Sequence, residues 1–143
     1  MIIEGLKENK SMINIEKFVA TPENWHKCFN NSPIALHISA HGMTVKDEAF
    51  LVLENSEDMS SHKEFNKKKL KQQIKNHMDK AENKLEFVMI SACHSEQIGE
   101  VFLNEGVPHV ICVDKTMPVP DEIALEFNKI FYRKVFDLKH SVC

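Results

Sequence analysis

The sequence predicts an α/β domain with a mostly parallel central sheet and helices on both of its faces. Three observations carry that expectation. Apolar runs at 34–40, 85–92 and 107–113 alternate with stretches of helical periodicity, the pattern of βαβ units. The length, 143 residues, suits one compact domain. Neither an internal repeat nor a low-complexity tract divides the chain, so residues 1–143 read as a single domain.

Taken in order, Ile3 and Leu6 share a face, and residues 3–9 read as the end of an amphipathic helix. Residues 12–19 alternate in the manner of a strand through Met12, Ile13, Ile15 and Phe18. Thr21-Pro22-Glu23 is a helix start: a hydroxyl N-cap, a proline in the first turn, and an acid near the positive end. Trp25, Cys28 and Phe29 follow at helical spacing, which puts Trp25 and Cys28 in the core. Asn30-Asn31-Ser32-Pro33 ends that helix.

The run at 34–40 is a buried strand that closes on His41-Gly42. Phe50 to Leu53 is short and apolar, one arm of a hairpin, and residues 55–63 read as a polar loop. Between Phe65 and Lys84, Leu70, Ile74 and Met78 recur every four residues, the stripe of a surface helix. Its basic run, Lys67-Lys68-Lys69-Leu70-Lys71, is expected on the solvated face. The most apolar strand is 85–92. A short helix over 95–105 turns Ile98, Val101 and Phe102 inward and ends at Gly106. After a strand at 107–113, Pro120-Asp121 opens a last helix with Ile123, Phe127, Ile130, Phe131 and Val135 on one face.

Composition excludes several function classes. A formal net charge of −3 with acids and bases nearly balanced gives no nucleic-acid grip, which needs a clustered positive face. No apolar run approaches membrane-spanning length, and residues 1–20 lack the apolar centre of a secretory signal. The four cysteines, Cys28, Cys93, Cys112 and Cys143, form no C-x-x-C pair, so a zinc ribbon or thioredoxin motif is not expected. These features point to a cytoplasmic protein with reduced thiols. The four glycines build no phosphate-binding loop, and G-x-S-x-G is missing. Cys112 reads as core.

In open α/β sheets, sites lie beyond the carboxyl ends of the strands. His41 and Cys93 each stand just past such an end, in "HISAHG" and "ISACHS". If those strands are neighbours, the two side chains share one edge. A thiol attacks as the thiolate, and an imidazole can take its proton. The helix beginning near Ser95 adds partial positive charge. Backbone N–H groups of Gly42 and Cys93 could hold an oxyanion, and Gly42 would let a substrate backbone come close. The blander readings are a buried thiol acting as a small hydrophobe and a satisfied histidine. A metal cluster of His37, His41, Cys93 and His94 lacks a local carboxylate or second cysteine to complete it, so neither metal nor cofactor is expected. His37 would orient the site. His94 is either solvated or part of the pocket mouth, and His109 is a core or edge residue.

"LHISAHG" (36–42) followed by "ISACHS" (90–95) resembles the CHAT domain, a caspase-like family found with TPR repeats and related to separase and the caspases. "FLVLEN", "NEGVPHVICV" and "PDEIALEFNKIFYRKVF" follow in the family's order, so the likeness spans nearly the whole chain. The resemblance implies a caspase-like three-layer sandwich and a cysteine endopeptidase with a dyad: His41 as general base or ion-pair partner and Cys93 as nucleophile. Some relatives hold a basic substrate residue with an acid two positions before the nucleophile. That position is Ser91 here; other relatives place the acid after the next strand, where the resemblance implies Asp114 and Asp121 as candidate substrate-binding acids.

The family normally has a strand before the first helix and more chain after the last, so the expectation is a domain incomplete at both ends, lacking the first strand. The implied partners are a protein or peptide substrate and TPR-type repeats of a larger parent, with neither nucleic acid nor membrane. The alternative is a catalytically inactive caspase-like scaffold acting through protein contacts. A third class is redox sensing by Cys93.

Overall fold

The computed structural model describes residues 14–54, 62–65, 67–80, 84–114 and 119–137. The chain divides into two compact units: Lys17–Pro118, and a second made of Met1–Glu16 with Val119–Cys143. The helix expected at 3–9 lies outside the described residues, as do positions 12 and 13 of the strand expected at 12–19. Residues 14–19 adopt no regular structure. There Ile15, Phe18 and Val19 are exposed, so alternation alone found neither a ladder partner nor a core to cover it.

The larger unit begins with helix α1 (Pro22–Asn30). Thr21 caps it as expected, its hydroxyl accepting from the Asn24 N–H at 3.2 Å, with Pro22 in the first turn. Trp25 and Phe29 are buried, whereas Cys28 is only half-buried. The spacing i, i+4 set by Trp25 and Phe29 takes the centre of the face, and Cys28 falls to its side.

Strand β1 (Ala35–Ser39) pairs in parallel with β5 (Phe87–Ser91), and β5 pairs in parallel with β6 (His109–Ile111). This three-stranded parallel sheet, in the order β1-β5-β6, is flanked by helices, an α/β architecture consistent with a caspase-like sandwich. The expected strands are right in place and trimmed at their ends: Leu85 is fully buried but precedes the ladder, and His109 is an exposed residue of the edge strand β6.

A second, antiparallel sheet is built from β2 (His41–Val45), β3 (Glu48–Glu54) and β4 (His62–Phe65). The hairpin expectation at 50–53 is met and enlarged. Lys46 and Asp47, both at positive φ, make its two-residue turn, which matches the right-handed twist of the strands. His62 and Lys63, expected in a loop, belong to β4, because β3 offers them backbone partners. Residues 55–61 lie outside the description.

Helix α2 (Lys67–Lys80) buries Leu70 and Ile74, with Met78 partly covered, and exposes Lys68, Lys69 and Lys71 as its charge pattern predicts. It begins after Phe65, which β4 claims. Helix α3 (Glu96–Asn104) buries Ile98, Gly99 and Phe102 and packs against β5 and β6, and also against β3 and α2. Gly106, at φ 95°, takes the left-handed turn after it, where a side chain would be strained. One core joins all of these. It holds Trp25 and Phe29 of α1, Ile38 of β1, Leu51 and Leu53 of β3, Leu70 and Ile74 of α2, Val88 and Ile90 of β5, and Ile98 and Phe102 of α3. Each such large side chain stabilises the fold by roughly 1.5–3 kcal/mol through lost apolar surface.

The second unit contributes helix α4 (Asp121–Asp137). Its expected inner face is corrected. Ile123, Phe127 and Ile130 are exposed, whereas Asn128 is buried and Phe131 and Val135 are half-buried. With Leu125 also exposed, apolar side chains cover most of α4 outside the charged stripe of Glu122, Glu126, Lys129 and Arg133, so periodicity excluded that stripe without selecting the buried part of the wide apolar arc. Phe127 stacks on Phe131, and Phe131 meets Tyr132 edge-on. Burial pushes the Tyr132 phenol up to about 12.

Candidate active site

Strands β1 and β5 run level: Ser39 faces Ser91, and the Ala40 N–H donates to the Ser91 carbonyl at 3.4 Å. His41 and Cys93 each stand two residues beyond that last pair. Both therefore emerge at the carboxyl edge of the parallel sheet, on adjacent strands. The two chains then diverge. After Ala40 the backbone resumes as β2, with His41 opposite Val52 of β3. His41, just past the end of β1 as expected, is thus also the exposed first residue of a hairpin strand, since β3 supplies a ladder for it. After Ser91 the chain turns through Ala92-Cys93-His94 into α3.

Gly42 and Cys93 meet through their backbones. A Cβ on Gly42 would overlap the Cys93 carbonyl oxygen and lie 2.8 Å from its carbonyl carbon and 3.2 Å from its nitrogen. The glycine is required by close approach, but the neighbour is the Cys93 peptide and not the substrate backbone expected from the sequence.

The turn carrying the thiol is tightly held. His94 has φ 55°, a left-handed conformation that costs a residue with a side chain on the order of 1 kcal/mol. Ser95, almost fully buried, accepts from the Val113 N–H at 2.9 Å through its hydroxyl, which in turn reaches the Ile90 carbonyl at 3.4 Å. The Glu96 N–H donates to the Val113 carbonyl at 3.0 Å. Ser95 therefore does not cap α3 with its side chain; it ties the Cys93 turn to the chain leaving β6. Nothing in the sequence distinguishes this serine from an ordinary helix cap.

His37 and Ser91 come together, the imidazole Nε2 and the Ser91 hydroxyl 3.1 Å apart, just inside the same edge. Burial holds His37 below the usual histidine range, which keeps it neutral. His94 is half-buried. Asp114 is exposed, three residues past β6 on that edge. Its charge, with burial and with Glu96 and Glu100, pushes the half-buried Cys112 thiol up; burial is the largest cause. Cys112 packs against the core without being fully inside it. Asp121 opens α4 and belongs to the other compact unit. Cys143 lies outside the described residues. Among the described residues, no group of three or more His, Cys, Asp or Glu is arranged to hold a metal, and no helix is long and apolar enough to cross a membrane.

A parallel three-stranded sheet flanked by helices, with a histidine and a cysteine leaving adjacent strands at its carboxyl edge, defines a caspase-like α/β protein. The family profile of the CHAT domain matches residues 3–141, and the chain belongs to that family. No curated protein matches it.

Proposed function

We propose that the chain is a cysteine-type endopeptidase domain in which His41 and Cys93 act as a dyad. The observation that supports it most is the level register of β1 and β5, which brings both residues out two positions past Ser39 and Ser91. In this reading the Cys93 thiolate attacks the scissile carbonyl carbon, and the oxyanion is held by backbone N–H groups of Gly42 and Cys93. The imidazolium of His41 gives its proton to the leaving amine as the C–N bond breaks. His41 then takes a proton from water, which attacks the thioester, and the C–S bond breaks to restore the thiolate. All of these groups come from the chain itself.

The substrate class is a peptide with Arg or Lys before the scissile bond. Asp114 is the favoured acid, since it follows the strand beside the nucleophile's; Asp121 is the second candidate. A carboxylate there would pair with a guanidinium in two-pronged fashion. Ser91, bonded to neutral His37, would line the pocket as a polar, uncharged wall. The domain would work in the cytoplasm, with TPR-type repeats of a larger parent as its partner.

Exposed Ile123, Leu125, Phe127 and Ile130 on α4 favour a second reading, an inactive scaffold that binds other proteins. A fluorogenic peptide library tests both. The enzyme reading expects cleavage after basic residues, abolished by Cys93→Ala and His41→Ala and shifted away from basic residues by Asp114→Asn or Asp121→Asn. A folded chain that cleaves nothing would favour the scaffold, and a basic preference that survives both Asp changes would remove the acids from the pocket.

A further inference from the structure

The hairpin that begins with His41 buries Ala49, Leu51 and Leu53 of β3 in the core and is fastened besides at two points. At its base, Gly42 packs on the Cys93 peptide. At its tip, the fastening is a single side chain on the first turn of α3, Gln97. Its amide oxygen accepts from the Ala49 N–H at 3.2 Å and from the Lys67 ammonium at 2.8 Å. Its amide nitrogen donates to the Asp47 carbonyl at 2.8 Å. One side-chain amide thus satisfies a carbonyl and an N–H two residues apart on one strand edge, as a neighbouring parallel strand would. The β4 ladder stops at Leu51–Phe65, so Gln97 continues the pairing of β3 where β4 has ended.

The placement matters because Gln97 lies four residues after Cys93 on the segment that leaves the thiol. Burial of Leu51 and Leu53 anchors the body of the hairpin, but the turn at Lys46-Asp47 reaches beyond them, and there Gln97 limits a swing of the hairpin about Ala40-His41 that would move the imidazole relative to the sulfur. Fixing its tip to the helix that follows the thiol makes the two residues parts of one rigid frame. Lys67, at the start of α2, steadies the amide from the third side.

We infer that Gln97 is a positioning residue of the site, setting His41 against Cys93 by clamping the β2–β3 turn to α3. This rests on the dyad reading above. A displacement of about 1 Å at a reacting pair costs up to a hundredfold in rate, so loss of the clamp should slow Cys93 chemistry by roughly tenfold.

The test is the pH profile of iodoacetamide alkylation at Cys93, followed by peptide mass spectrometry, in the wild type, Gln97→Leu, Gln97→Glu, His41→Ala and the His41→Ala/Gln97→Leu double variant. Gln97→Glu keeps the acceptor for Ala49 and Lys67 and loses only the donor to Asp47, so it should recover part of the rate lost in Gln97→Leu and serves as the second variant if Gln97→Leu fails to fold. The expected result is slowing in Gln97→Leu and in His41→Ala, with no additional slowing in the double variant, because Gln97 acts through His41. A normal rate in Gln97→Leu, or an equal further loss in the His41→Ala background, would overturn the positioning role and leave the dyad standing. If Gln97→Leu does not fold, wild-type rates in Gln97→Glu together with an unprotected Ala49 amide in hydrogen exchange of the wild type would overturn it too. A His41→Ala variant that alkylates as fast as wild type would overturn both.

Discussion

Gly42 packs directly against the peptide of Cys93, leaving no room for even a methyl group between the hairpin and the thiol-bearing turn. The neighbour is backbone on both sides, so no flexible side chain can move away. Gly42→Ala should destabilise the protein by about 3 kcal/mol, at the upper end of overpacking costs. Urea denaturation followed by Trp25 fluorescence would measure it. A change below about 0.5 kcal/mol would mean that the hairpin and turn are not in contact in solution.

Ser95→Ala removes the hydroxyl that accepts from the Val113 N–H and leaves that donor facing a buried, apolar methyl. The expected loss is about 1–3 kcal/mol, the cost of an unpaired buried group. Because the same serine holds the Cys93 turn to the end of β6, heteronuclear NMR should show shifts at Cys93, His94 and Val113 together. Shifts confined to position 95 and its immediate neighbours would contradict the tie.

Legibility in the sequence followed the range of the forces involved. Thr21, Pro22 and Gly106 act within a turn of their own helix, and short-range rules read them correctly. Strands β1, β5 and β6 announced themselves as apolar runs because a parallel sheet is covered by helices. The carboxyl-edge rule then nominated His41 and Cys93 without any knowledge of the register. What escaped was set by distant partners. Residues 14–19 alternate but are offered no ladder. His41 became a strand residue because Val52 of β3, eleven residues on, pairs with it. Gln97 and Ser95 are ordinary residues in a helix start, and their partners at Ala49, Asp47 and Val113 exist only after folding. The face of α4 was misassigned because its apolar arc is wider than the part that is buried.

His77 supplies a pH signature. It is buried on α2, its Nδ1 donates to the Phe29 carbonyl at 3.3 Å, and its ring meets Phe29 edge-on. Its Nε2 is buried without a partner. Burial, aided by the Lys84 charge and opposed by the Phe29 carbonyl, holds it below its ordinary value of 6.5. The unfolded chain therefore takes up a proton before the folded one does. Stability is full above pH 6.5 and falls as the pH drops from there toward the folded value, by at most about 1.4 kcal/mol for each pH unit crossed. His37, lowered in the same direction, adds its own share. His77→Leu should flatten the acid side of a plot of unfolding free energy against pH while leaving the His37 share. An unchanged slope would show that His77 takes up its proton alike in the folded and unfolded states.

The three described thiols should react in a definite order. Cys93 is half-buried on a turn at the sheet's carboxyl edge, two residues before Ser95 and the start of α3. Cys112 is equally half-buried, yet burial and the charges of Glu96, Glu100 and Asp114 push its thiol above the ordinary value of 9.0. Thiolate at Cys112 is therefore scarce at neutral pH and becomes common only as the pH climbs past 9.0. Iodoacetamide at pH 7.5, with labelled peptides counted by mass spectrometry, should modify Cys93 first, by about tenfold or more over Cys112. Cys28, on α1, sits beside the buried Trp25 and Phe29 and should lag Cys93 as well. Removing the acids by Glu96→Gln and Asp114→Asn should speed Cys112 and narrow the gap without changing the order. Under the dyad reading, His41→Ala should slow Cys93 and leave Cys28 and Cys112 at their wild-type rates. Equal rates at all three cysteines, or a His41 change felt equally by each of them, would remove the case for an activated thiol at the end of β5.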